Sequence, residues 1–179
     1  MAKPKIATDW MGACSGCHMS LLDMDERLVE LLGKVELTSS PITDLKVPPE
    51  SGVDVGVLEG AVNNTDNEHV AKRMRERCKI LVAIGDCAVF GGILGMRNFE
   101  PAYVALERAY EGADTTVDGK VPDSPEIMRP VVNRAVNEVV KVDVHVPGCP
   151  PRADVLYYVL SELAEGRIPK LDETKLTYD

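Results

Sequence analysis

Two runs constrain this chain more than any other feature: VDVGVLEG (53–60) and KILVAIGDC (79–87). Both are nearly continuous in Val, Leu, Ile and Ala, without the polar alternation of a half-solvated strand, so both of their faces must be covered. KIATDWM (5–11), VELTSS (35–40) and VDVHV (142–146) read as further strands. Helical spacing lies between them. Over 17–33, Leu21, Met24, Leu28, Leu31 and Leu32 fall on one face and Gly33 is placed to end the helix. Further helices are predicted near 66–77, 101–111, 126–140 around Pro130, and 151–165, the last with Pro151 at its first position and Gly166 as its stop. Strands that alternate with helices in this way predict a doubly wound α/β domain built on a parallel sheet. The 179 residues are expected to form one domain, with the Gly-, Pro- and acid-rich segment 111–126 as a surface loop.

With 45% apolar residues, the chain can bury a core without disulfides. Its formal charge of -9 and lack of a basic cluster argue against nucleic acid or an anionic membrane surface as partner. No stretch approaches the roughly 18 apolar residues of a membrane helix, and MAKPKIATDW has no signal-peptide core. A cytoplasmic protein is therefore expected. In that compartment five cysteines point to metal or redox chemistry rather than to structural disulfides.

Four of the cysteines share a placement. Cys14 and Cys17 follow the first strand, Cys87 the strand that starts at 79, and Cys149 the strand at 142–146. Parallel topology gathers all four at the carboxyl edge of the sheet, where such folds place their functional residues. Gly12, Gly16, Gly85, Gly92, Gly148, Pro147 and Pro150 flank them, small or rigid residues suited to a bulky inorganic object. Helices starting after Cys17 and Cys149 would add positive dipole ends. Cys78 precedes its strand and so stands roughly 25 Å from Cys87 along the sheet, which makes it a buried spare thiol. Three chemistries fit the other four. A lone CxxC between strand and helix is the thioredoxin-like dithiol placement, but it needs only two thiols. Structural zinc usually takes paired CxxC knuckles, of which one is present. A 4Fe-4S cluster takes four thiolates and suits ligands spread over separate loops.

CSGC (14–17), EGAV (59–62), GDCAVFGG (85–92) and PGCPP (147–151), in this order, resemble the small subunit of nickel-iron hydrogenases. GCHMSLLDMDE (16–26) is most similar to the cytoplasmic, NAD-reducing bidirectional type, and the resemblance runs from about Pro4 to Gly166. It implies a flavodoxin-like fold and one 4Fe-4S cluster held by Cys14, Cys17, Cys87 and Cys149, with Gly12, Glu59, Asp86 and Gly148 around it. It also implies a nickel-iron centre on a hydrogenase large subunit, and NAD bound by a diaphorase module of flavin and iron-sulfur subunits. No catalytic residue is then expected in this chain, which acts as an electron conductor in a hydrogen:NAD+ oxidoreductase. GACSGC stands where a dinucleotide fingerprint would carry GxGxxG, so NAD is expected elsewhere. The chain carries none of the cysteine-rich C-terminal motifs of many hydrogenase small subunits, which also fits a membrane-bound, energy-converting hydrogenase. Cluster subunits of complex I-like oxidoreductases share the fold, but typically have adjacent cysteines where Cys14 and Cys17 are spaced.

The remaining polar residues have plainer readings. His18 is expected as an exposed helix-start histidine, and His145, between Val144 and Val146, as a hydrogen-bonded core residue. Glu59 and Asp86 serve either to orient the cysteine loops or only as satisfied turn carboxylates. The architecture raises FMN as a second cofactor, with TSSPIT (38–43) and NNTDN (63–67) as its anchors, since cysteines occupy the usual phosphate loop.

Overall fold

The computed structural model describes residues 2–176. Its main sheet comprises β1 (Lys5–Trp10), β2 (Glu36–Ser39), β3 (Val53–Glu59), β5 (Cys78–Ile84) and β7 (Val144–Val146). These are all parallel, in the order β2-β1-β3-β5-β7. Counted within the sheet this is the flavodoxin-like order 2-1-3-4-5, whose switch point lies beside the first and third strands. The expected fold class is the one found. Helices α1 (Gly16–Leu22), α2 (Glu26–Lys34) and α6 (Ala153–Ala164) cover one face, and α3 (Thr65–Arg77) and α4 (Gly85–Phe90) the other. α5 (Ala102–Tyr110) follows a 3-10 helix at Ile93–Phe99.

Period-two alternation explains the two cores. On β5, Val82 and Ile84 join Val55, Val57, Leu156 and Leu160 on one face, while Leu81 and Ala83 join Leu58, Ala71 and Met74 on the other. Both sets are buried, so β3 and β5 read as continuous apolar runs. Register then fixes the working edge. Trp10 pairs with Glu59, Glu59 with Ile84, and Ile84 with Val146, so four strands end in one row.

Several local expectations change. The helix expected over 17–33 is two helices: the chain turns at Asp23–Asp25, with Asp25 at φ 53, and buries Met24 in the elbow. Aspartates favour turns over helix interiors, and the turn leaves both α1 and α2 against α6. Gly33 lies inside α2, which Lys34 ends. After Ile84 the chain enters α4 rather than a turn, and Gly91 at φ 86 stops it by donating to the Cys87 carbonyl at 3.0 Å. α6 begins at Ala153 with Arg152 as its cap, so Pro151 lies before the helix, while Gly166 stands beyond its end as expected. The helix expected at 126–140 is instead β6 (Pro130–Arg134), followed by a 3-10 turn at Val136–Glu138. β6 pairs antiparallel with β4 (Val62–Asn64), a partner about 70 positions away that outweighs local helical spacing. Pro130 opens the strand, where its missing N–H is tolerated. Residues 111–129 form neither helix nor strand.

Candidate metal centre

The aligned strand ends carry the site. From Trp10 the chain reaches Cys14 in four residues and Cys17 in seven, while Cys87 and Cys149 each lie three residues beyond Ile84 and Val146. All four thiols line one cavity, together with Glu59, Asp86, Gly148, Ala13, Gly16 and Pro150. Cys14 and Cys149 are exposed, Cys87 is half-buried and Cys17 is buried, so the cavity opens at the surface. Cys78 sits at the other end of β5, buried against Gly56 and Met74. The helix ends are not arranged as expected: Cys17 and Cys87 lie in the first turns of α1 and α4, and α6 starts four residues after Cys149.

Hydrogen bonds lace the loops to one another. Gly12 exchanges bonds with Ala61, 3.0 Å from its own N–H and 2.8 Å to its carbonyl, tying the first cysteine loop to EGAV. Asp86 accepts from the Gly148 N–H at 2.7 Å and donates its own N–H to the Gly148 carbonyl at 2.9 Å, joining the Cys87 and Cys149 segments. The Ser20 hydroxyl donates to the Pro151 carbonyl at 2.5 Å and ties α1 to PGCPP. Gly12, Asp86 and Gly148 thus serve the loops directly.

Glu59 and His18 are both 1% exposed. The Glu59 carboxylate accepts from the His18 N–H at 2.8 Å and from the Cys17 N–H at 3.4 Å, and its Oε2 lies 2.5 Å from His18 Nδ1. His18 is therefore a buried partner of the site and not the exposed helix-start residue expected. The signal was present: His18 stands three residues before Leu21, on the face of α1 turned to the core. His145 is corrected in the opposite sense. β7 is an edge strand, and its alternation buries Val144 and Val146 while turning His145 outward. Thr8 holds His18 from behind and Ser40 holds Thr8, and nothing in the sequence pointed either residue to that role.

The donor set and the space both fit a sulfur-ligated inorganic group. A Cβ on Gly85 would strike Cys17 Sγ, and one on Gly92 would stand 2.6 Å from Cys87 Sγ; both residues have positive φ, so glycine alone suits them. Burial pushes the Cys17 thiol up, reinforced by Glu59 and the other three cysteines, and burial with Cys149 and Cys14 pushes up that of Cys87. Four thiolates here need a compensating positive charge. Among the described residues, no three His, Cys, Asp or Glu side chains converge on a single-ion position. Two side chains of the segments expected to anchor FMN are engaged within the fold: Ser40 Oγ accepts from Thr8 at 2.8 Å, and Asn64 Oδ1 caps α3 by accepting from Asn67 N at 2.8 Å.

Fold and site together define a flavodoxin-like subunit with a four-cysteine pocket at the carboxyl edge of its sheet. Residues 14–163 match the family described as NADH ubiquinone oxidoreductase, 20 Kd subunit, and the chain belongs to that family. Its relatives include hydrogenase subunits. It is 41% identical to the NAD-reducing hydrogenase HoxS subunit delta of Cupriavidus necator, over 99% of this chain and 86% of that protein. It is 38% identical to a component of the F420-non-reducing hydrogenase of Methanothermobacter marburgensis, over 97% of this chain but 58% of that protein. A solved structure of an NAD+-reducing NiFe-hydrogenase in the H2-reduced state contains a chain that superposes with a TM-score of 0.93, at 37% identity and 99% coverage of both chains. No helix among the described residues is long and apolar enough to cross a membrane.

Proposed function

We propose that this chain is the electron-transfer small subunit of a cytoplasmic, NAD-reducing nickel-iron hydrogenase, and that its 179 residues form a single cluster-binding domain. Cys14, Cys17, Cys87 and Cys149 hold one 4Fe-4S cluster, which when bound supplies a one-electron couple. The observation that carries this reading is the convergence of these four thiols, from the segments that follow three strands, on a single cavity. Two points favour a cluster over zinc or a dithiol. All four cysteines line the cavity, where a dithiol needs two, and they include a single CxxC pair, where structural zinc usually takes paired knuckles.

In this reading the chain's own residues do four things. The thiolates bind, the glycines keep Cβ atoms out of the cradle, Asp86 and Gly12 hold the loops in register, and Glu59 sets a fixed carboxylate beside Cys17. The exposed Cys14 and Cys149 face the hydrogenase large subunit that carries the nickel-iron centre. Electrons pass on to a diaphorase module of flavin and iron-sulfur subunits, where NAD is reduced, and FMN on this chain is no part of the proposal. The similarity to the NAD-reducing relative along nearly the whole of both chains supports the NAD linkage. The family's description favours a complex I-like oxidoreductase as second reading, set against the two-residue gap between Cys14 and Cys17.

Anaerobically purified protein is expected to carry about four irons and four acid-labile sulfides per chain, with a visible band that bleaches on reduction. Zinc, or no metal and a reducible Cys14–Cys17 disulfide, would refute the proposal. Cys14→Ser or Cys149→Ser is expected to abolish hydrogen-dependent NAD reduction while NADH oxidation by the diaphorase survives; equal loss of both would count against it.

A further inference from the structure

Behind the cysteine pocket runs a buried chain of four polar side chains. Glu59, at the end of β3, lines the pocket. Its Oε2 lies 2.5 Å from His18 Nδ1, His18 Nε2 lies 3.0 Å from Thr8 Oγ1, and Thr8 Oγ1 donates to Ser40 Oγ at 2.8 Å. All four residues are at most 7% exposed, and they come from four separate stretches: β3, α1, β1 and the residue after β2. The Trp10 indole, itself exposed, meets the imidazole in an edge-to-face arrangement with ring centroids 5.4 Å apart.

Such an arrangement is a poor way to gain stability. Burying an imidazole and a carboxylate carries a desolvation cost that their pairing scarcely recovers, and apolar residues of similar volume would serve a sheet core at least as well. What the chain does provide is fixity. Both Glu59 oxygens are engaged, by two backbone N–H groups and the imidazole, and the imidazole cannot swing because Thr8 holds its far nitrogen.

We propose that His18 is a positioning residue which, held by Thr8 and Ser40, fixes the Glu59 carboxylate beside Cys17 and thereby sets the reduction potential of the group that the four cysteines hold. The inference rests on the cluster reading above. A carboxylate at constant distance opposes arrival of an electron by a constant amount, whereas a mobile one would be reoriented or screened by water.

The test uses the anaerobically purified complex that contains this chain. Iron per chain is measured, and a redox titration is followed by electron paramagnetic resonance, on the signal that Cys14→Ser removes. Glu59→Gln is expected to raise the midpoint potential, since it removes negative charge. His18→Gln and the near-isosteric Thr8→Val are each expected to keep parental iron and yet shift the midpoint. Because His18 acts through Glu59, the His18→Gln shift is expected to fall by more than half in the Glu59→Gln background. Unchanged midpoints in His18→Gln and Thr8→Val would overturn the proposal, as would a His18 shift of equal size in both backgrounds. Should His18→Gln fail to assemble, Thr8→Val decides alone; loss of iron from both would also overturn it, by showing that the chain builds the site and does not tune it. A parent complex whose chain holds no cluster would sink the functional reading itself, an outcome the iron measurement separates from the others.

Discussion

Gly85 shows how a single atom decides the chemistry of this site. It stands at φ +84, and a Cβ there would clash with Cys17 Sγ. Gly85→Ala is expected to cost about 1–2 kcal/mol of backbone strain, which the fold survives, but to remove most of the iron of the proposed cluster. Iron analysis beside a thermal melt would separate the two, and parental iron content would refute the steric account. The thiols give a second test. In the metal-free chain, burial raises the Cys17 and Cys87 thiols above their ordinary value. The unfolded chain therefore releases these protons first as pH rises, and the folded state loses stability in alkali while being unaffected below the ordinary thiol range. Urea midpoints of metal-free protein are expected to fall between about pH 8 and pH 10, and less steeply in Cys17→Ser. The burial of His18 escapes a reading along the chain because it depends on what faces the imidazole, and Thr8 and Glu59 are 10 and 41 positions away.

Among the elements, α6 carries a disproportionate share of packing. Val155, Leu156, Val159, Leu160 and Leu163 all enter the core shared with α1 and α2. Leu156 is 1% exposed, and Leu156→Ala is expected to destabilise the protein by about 2–5 kcal/mol without altering the cysteine geometry. A denaturation curve would check this; a loss under about 1 kcal/mol would mean that the site collapses around the gap. β1, β3, β5, α3 and α5 were legible in the sequence because each is marked by its own local residues, β3 and β5 as continuous apolar runs. The α1–α2 elbow and β6 were not. The elbow exists because Met24 must reach the core, and β6 exists because β4 offers it a ladder.

Across the whole molecule, the sheet separates a working end from a structural one. Cys78 begins β5 and Cys87 lies three residues beyond its end, so the length of the strand lies between them. Cys78→Ser is expected to leave iron and sulfide content unchanged, and loss of iron without unfolding would contradict this separation. From the sequence alone come the doubly wound class, the strands at 53 and 79, and the placement of four cysteines just past strand ends, because each follows from local composition and the period of a buried strand. The tertiary structure decided that Trp10, Glu59, Ile84 and Val146 stand in one row, that Asp86 joins Gly148, and that His18 is buried on Glu59. Those are outcomes of register and of contacts across 41 to 62 positions, and no periodicity along the chain carries information about which distant residue it will face.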